Sequence, residues 1–190
     1  MYSSKYLATL FQKLKEGLYT DTEGKSFSYD AFIEVISSIL LPFLENDNKL
    51  MFIGNGGSAA IVSHSVVDFW KNGRMKTMCF NSPSLLTALS AEFGYEHAFE
   101  KAIDTYAQEG DMLFAISSSG SSKNILNAVS MAKEKNCSVV TLSGFSSENP
   151  LRVLGDYNCY IDSFEYGIVE LAHQIILHNV LDYFMDRYLT

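Results

Sequence analysis

Apolar residues along this chain recur with two different periods, and the switches between them outline the elements. In YLATLFQKLKEGLY, near the start, they return every three or four positions. That spacing predicts a helix over residues 1–20, stopped by Gly17 or by the Asp21–Gly24 stretch. Ser28 suits an N-cap, and YDAFIEVISSILLPFL predicts a second helix over Tyr29–Leu44, kinked or broken at Pro42. After the turn residues Asn46, Asp47 and Asn48, an apolar run over 49–53 ends in GNGGS at 54–58. A buried strand entering a glycine turn begins a βα unit, and residues 59–72 follow with helical spacing.

The unit then recurs. Thr77–Phe80 predicts a short strand, followed by helices around Ser84–Ala91 and Phe99–Glu109. DMLFAI at 111–116 is a second buried strand, leading into SSSGSS at 117–122 and a helix over Lys123–Lys135. SVVTL at 138–142 and Tyr157–Ile161 add two strands, and a long helix over about 165–188 follows. Strands alternating with helices predict an α/β fold whose parallel sheet is covered on both faces. The expected organisation is a single domain over 1–190, with 1–45 as a helical N-terminal extension and 46–190 as the α/β core.

Composition narrows the function classes. With 190 residues, 47% of them hydrophobic, the chain can build a real core and is not a disordered segment. Fourteen Lys+Arg against 22 Asp+Glu give a net charge of −8, which argues against a broad electrostatic grip on nucleic acid. A small anion can still be held by backbone N–H groups. No apolar run approaches the ~20 residues of a membrane span, and the opening segment lacks the core of a signal peptide. Cys79, Cys137 and Cys159 are odd in number and widely spaced, which predicts reduced thiols in a cytoplasmic protein.

In an open parallel sheet, ligands sit beyond the carboxyl ends of the strands. Two strand ends here carry small polar residues. GNGGS lets backbone approach a ligand closely, because glycine has no Cβ. SSSGSS brings hydroxyls to a helix N-terminus, whose free N–H groups and dipole favour an anion. A plain connecting turn is the alternative for either loop, a weaker one for the serines, since a turn does not need so many hydroxyls. The chain has neither GxxxxGK[ST] nor GxGxxG, so nothing supports ATP or NAD.

Taken in order, strand–GNGGS–helix, strand–ISSSGSS–helix, then an acidic residue and two histidines on a final helix resemble the SIS (sugar isomerase) domain family. Within it the chain is most similar to the phosphoheptose isomerases. The resemblance implies a three-layer, flavodoxin-like domain with a five-stranded parallel sheet, and a homotetramer with active sites between subunits. It implies an aldose–ketose isomerase acting on a phosphorylated sugar, interconverting sedoheptulose 7-phosphate and D-glycero-D-manno-heptose 7-phosphate for lipopolysaccharide or capsule heptose. Asn55, Gly56, Gly57 and Ser58, with Ser117, Ser118, Ser119 and Ser122, would hold the substrate, joined by Asp68, Glu92 and Glu170. His64, Asp68, Glu170 and His178 would bind a zinc ion, one per subunit. Five positions depart from the family pattern: Asp68 stands for Glu, Glu170 for Gln, Ala91–Glu92 for Asn–Asp, and Ile168 for Arg. These leave the particular sugar open.

The titratable residues also carry meaning without the family. His64 and Asp68, four apart on a helix, share one face, as an ordinary surface ion pair also would. Glu170 and His178 lie ~80° apart at ~100° per residue, on one broad face. His173 falls on the other side of Glu170, as a packing or interface residue, and His97 has no evident partner. Isomerisation moves protons between adjacent carbons and between their oxygens, so a carboxylate and an imidazole, Asp68 and His178, on either side of an enediol-like intermediate are the minimal equipment. Two His and two carboxylates suit Zn²⁺, and other divalent metals too. A non-catalytic SIS adaptor, of the kind that binds a replication initiator, and an isomerase of another phosphosugar are the alternatives; four retained titratable residues favour an enzyme.

Overall fold

A computed structural model describes residues 1–189. Its first elements are α1 (Tyr2–Lys15), β1 (Leu18–Asp21), β2 (Ser26–Phe27), α2 (Tyr29–Ile39), β3 (Leu50–Gly54) and α3 (Gly56–Lys71). There follow β4 (Thr77–Cys79), α4 (Pro83–Phe93), α5 (Ala98–Tyr106), β5 (Met112–Ser117), α6 (Lys123–Glu134), β6 (Ser138–Gly144), β7 (Tyr157–Ile161) and α7 (Tyr166–Tyr188).

Strands β3 and β5 are buried at every position and pair in parallel as neighbours within the sheet. Their period-2 alternation separates two cores. Leu50 and Phe52 face the layer of α1, α2, α3 and α7, where Phe52 stacks on Phe114 with ring centroids 4.8 Å apart. Met51 and Ile53 face the layer of α4, α5 and α6, against Phe99, Ile103 and Ile125. The fold is thus the expected three-layer α/β sandwich, and β4, β3, β5, β6 and β7 form its five parallel strands.

The sheet has seven strands rather than five, because residues 18–27 are a hairpin and not part of a helical leader. Helix α1 ends before Gly17, and β1 pairs antiparallel with β7, Tyr19 lying opposite Cys159. Asp21 closes the hairpin turn by accepting the N–H groups of Glu23 and Lys25 at 3.0 and 2.9 Å, with Gly24 in the left-handed region (φ +80°). Tyr19 is buried and donates its hydroxyl to the Leu14 carbonyl at 2.6 Å, tying hairpin to α1. Elsewhere the Ser28 hydroxyl caps α2 by accepting from Ala31 N, and the helix gives way to a 3₁₀ turn at Pro42.

Helix α7 packs along the first core layer and buries His173 completely. The ring lies with Nε2 3.1 Å from the Ser143 carbonyl at the end of β6, which fixes Nε2–H as the donor; Nδ1 has no partner among the described residues. Burial pulls its pKa from 6.5 down to about 4. The unfolded chain therefore binds a proton near pH 6.5 that the fold refuses until about pH 4, so this stability is present above the first value and lost as pH falls toward the second. Wild type is expected to lose about 3 kcal/mol more than His173→Gln between pH 7 and pH 4. Urea unfolding of both proteins across that range measures it, and parallel pH profiles would refute it.

Candidate active site

The neighbouring strands β3 and β5 deliver GNGGS and the serine loop side by side. Gly56 holds φ +54°, a conformation that suits glycine, and a Cβ on Gly57 would collide with the Glu170 carboxylate. In the second loop Gly120 holds φ +61°, and a Cβ there would strike the Asn149 side chain, which is anchored to the Gly144 and Ser146 carbonyls. The two loops enclose a pocket of about 200 Å³. Asn55, Gly56, Gly57 and Ser58 line one side, and Ser117, Ser118, Ser119 and Ser122 the other. Tyr166 and Glu170, from the first turns of α7, complete it.

This lining contains no lysine or arginine, and its one acidic side chain is Glu170. Asn55 and Ser122 stand at the N-caps of α3 and α6, and neither caps its helix with its side chain; the Glu170 carboxylate lies against the start of α3, while the start of α6 carries no such group in the lining. The serine hydroxyls are only loosely engaged with one another, Ser117 lying 3.4 Å from Ser119 and 3.5 Å from Ser122. Ser118 Oγ is buried with no hydrogen-bond partner among the described residues.

Farther along α3 and α7 is a second group. Asp68 Oδ2 lies 3.1 Å from His64 Nε2 and 3.5 Å from His178 Nδ1, and the two rings are 5.2 Å apart. Among the described residues these three form the group able to hold a metal ion, their ligand atoms all within 4.8 Å of one another. Glu170 is not part of it. Its carboxylate occupies the space beside Gly57 instead, at the start of α3, where the helix dipole favours a negative charge. The contact between Asp68 and His178 also revises their expected placement: atoms 3.5 Å apart leave no room for two substrate carbons between them. Glu92 stands exposed on α4, outside the pocket of its own chain. His97 sits 2.6 Å from Glu100, a partner one helical turn away that the sequence reading did not find.

Three lining or supporting residues escaped the sequence reading. Tyr166 forms a wall of the pocket, its ring held edge-on by Phe145 at 4.8 Å. Asn124 and Tyr95 hydrogen-bond Asn55 from outside the loop. Asn124 follows Ser122 by two residues, the nearest thing to a signal for any of the three.

The model of the SIS domain family matches residues 28–144, and the chain belongs to that family. Its relatives there are phosphoheptose isomerases. That of Helicobacter hepaticus is 31% identical over 164 residues, covering 83% of this chain and 83% of that protein. That of Aneurinibacillus thermoaerophilus is 34% identical over 154 residues, 78% of this chain and 77% of the relative. Among solved structures, the phosphoheptose isomerase from Francisella tularensis superposes with a TM-score of 0.81 at 21% identity, covering 98% of this chain and 95% of the other. The likeness to that structure is one of fold.

Proposed function

We propose that this protein is a phosphosugar isomerase that interconverts sedoheptulose 7-phosphate and D-glycero-D-manno-heptose 7-phosphate through an enediol-like intermediate. One observation carries the reading: α3 and α7 both begin at the pocket between the two loops and both contribute farther on to the His64–Asp68–His178 group. Gly57 to His64 is seven residues and Glu170 to His178 eight, roughly 10–12 Å at about 1.5 Å per residue. An open seven-carbon sugar with phosphate on its last carbon spans a similar length. With phosphate on the serine loop, its C1–C2 bond lies at the group.

The reaction moves one proton from C1 to C2 and another from O1 to O2. Asp68 Oδ2 faces His64 Nε2 and His178 Nδ1, drawing the ring protons to those nitrogens and leaving His178 Nε2 as the free base. Asp68 and His178 act as one acid/base unit, and Glu170 accepts a substrate hydroxyl. Two imidazole nitrogens and one carboxylate oxygen converging within 4.8 Å fit a three-residue Zn²⁺ site with an open position, one per subunit. When bound, zinc supplies Lewis-acid polarisation of the substrate carbonyl. A zinc ion held by His178 would take the lone pair of one ring nitrogen and leave the proton on the other, so His178 Nε2 is the free base only in the metal-free arrangement.

Residues 1–190 work as one domain in this reading, in the cytoplasm and as a homotetramer with active sites between subunits. Supporting the assembly, α4 has no buried residue within one chain although it carries Leu85, Leu86, Leu89 and Phe93. Leu7 and Phe11 on α1 and Val67 and Trp70 on α3 are exposed as well. Glu92 would then meet a pocket only across an interface. Light scattering at micromolar concentration should give four times the chain mass; a monodisperse monomer would remove the tetramer from the proposal.

Incubation with sedoheptulose 7-phosphate, followed by NMR, tests the activity. The aldose signals are expected to grow to an equilibrium mixture. Tight binding of the sugar phosphate without conversion would favour the adaptor instead.

A further inference from the structure

Asn55 stands at the N-cap of α3, where asparagine ordinarily accepts a bond from its own helix. It makes none. Its carboxamide is instead paired with Asn124: Asn55 Nδ2 donates to Asn124 Oδ1, and Asn124 Nδ2 donates back to Asn55 Oδ1, both at 2.9 Å. Tyr95 Oη donates to the same Asn55 oxygen at 2.7 Å. An amide oxygen accepts two bonds and an amide nitrogen donates two. The oxygen of Asn55 is therefore filled, one of its two N–H groups is used, and a single N–H is left on a residue that lines the pocket.

The supports come from two other segments. Asn124 is buried in the first turn of α6, and Tyr95 sits in the 3₁₀ turn after α4. Without them the carboxamide could rotate and present its oxygen, an acceptor, which an anion would repel.

We propose that Asn124 and Tyr95 are positioning residues that lock the Asn55 carboxamide as a donor, its free N–H being reserved for a phosphate oxygen of the ligand. This rests on the reading of the pocket as a phosphate site, though not on the isomerase chemistry. With no lysine or arginine in the lining, the orientation of each neutral donor sets the affinity.

The test is a double-mutant cycle with inorganic phosphate as the probe, binding measured by isothermal titration in every variant, the ¹⁵N-labelled Asn55 side chain followed by NMR in those that keep it, and thermal unfolding recorded for each. Asn124→Ala is expected to weaken phosphate binding about tenfold, and Tyr95→Phe several-fold, through loss of one oriented charge-assisted bond. In an Asn55→Ala background neither change should weaken binding further, whatever it does to the melting temperature, because both act through Asn55. Tyr95→Phe keeps the ring and removes only a hydroxyl, so it reports even if Asn124→Ala folds poorly. Losses of equal size with and without Asn55, or Asn55 side-chain resonances that phosphate leaves unmoved, would overturn the inference. A wild type that shows this coupling but does not convert sedoheptulose 7-phosphate would uphold it and sink only the isomerase reading.

Discussion

Asp68→Asn is expected to lower kcat by about 10²–10⁴-fold, the usual loss when a positioned acid/base group is removed. The carboxylate faces two imidazoles through one oxygen, at 3.1 Å from His64 Nε2 and 3.5 Å from His178 Nδ1. Asparagine keeps the shape but not the charge that holds both ring protons on those nitrogens, so the tautomer with a free His178 Nε2 is no longer enforced. His178→Gln should be equally damaging, since it deletes that nitrogen. Phosphate affinity should persist in both, because the pocket lies about two helical turns away along α3 and α7. Bound metal measured beside kcat divides the outcomes. Lost turnover with zinc retained marks proton transfer as the role, and joint loss marks the residues as ligands first. Near-normal turnover in either variant would remove the acid/base assignment.

The parallel core was legible because its strands are unbroken apolar runs ended by glycine or serine. Such runs are what a strand buried on both faces requires. The β1–β2 hairpin was not legible. LYTD is four residues long and continues a helical period, and what makes it a strand is pairing with β7, far along the chain. The loops of the pocket were found for the same reason as the core, since β3 and β5 are neighbours and their ends must adjoin. Side-chain direction was the part that spacing could not supply. Glu170 shares a helical face with His178, yet the absence of a Cβ on Gly57 opens a space that its carboxylate fills, away from the histidines. Asn124 and Tyr95 act through hydrogen bonds to a third residue, and no periodicity encodes such contacts. His173 was placed apart from Glu170 by helical geometry alone, and it is fully buried.

Ser118→Ala should change stability and binding in opposite directions. The hydroxyl is buried, its residue lines the pocket, and it has no partner among the described residues. An unpaired buried polar group costs free energy, so its removal should leave the unliganded protein as stable as before or up to about 1 kcal/mol more stable. A bound phosphate would give the hydroxyl its acceptor. The same substitution should then weaken binding by about 1–3 kcal/mol, the worth of one hydrogen bond to a charged group. Ser119 and Ser122, half-buried on the same loop, add a donor each, and the Ser119→Ala/Ser122→Ala double variant should raise KM for the sugar phosphate by a larger factor, about 10²-fold or more. Both serines already contact Ser117 weakly, so the double variant should not share the stability gain. Urea unfolding without ligand and isothermal titration with sedoheptulose 7-phosphate measure the two signs separately. Unchanged affinity in Ser118→Ala and in the double variant together would put the phosphate away from these three serines, toward Ser58 or Tyr166 on the other walls of the pocket.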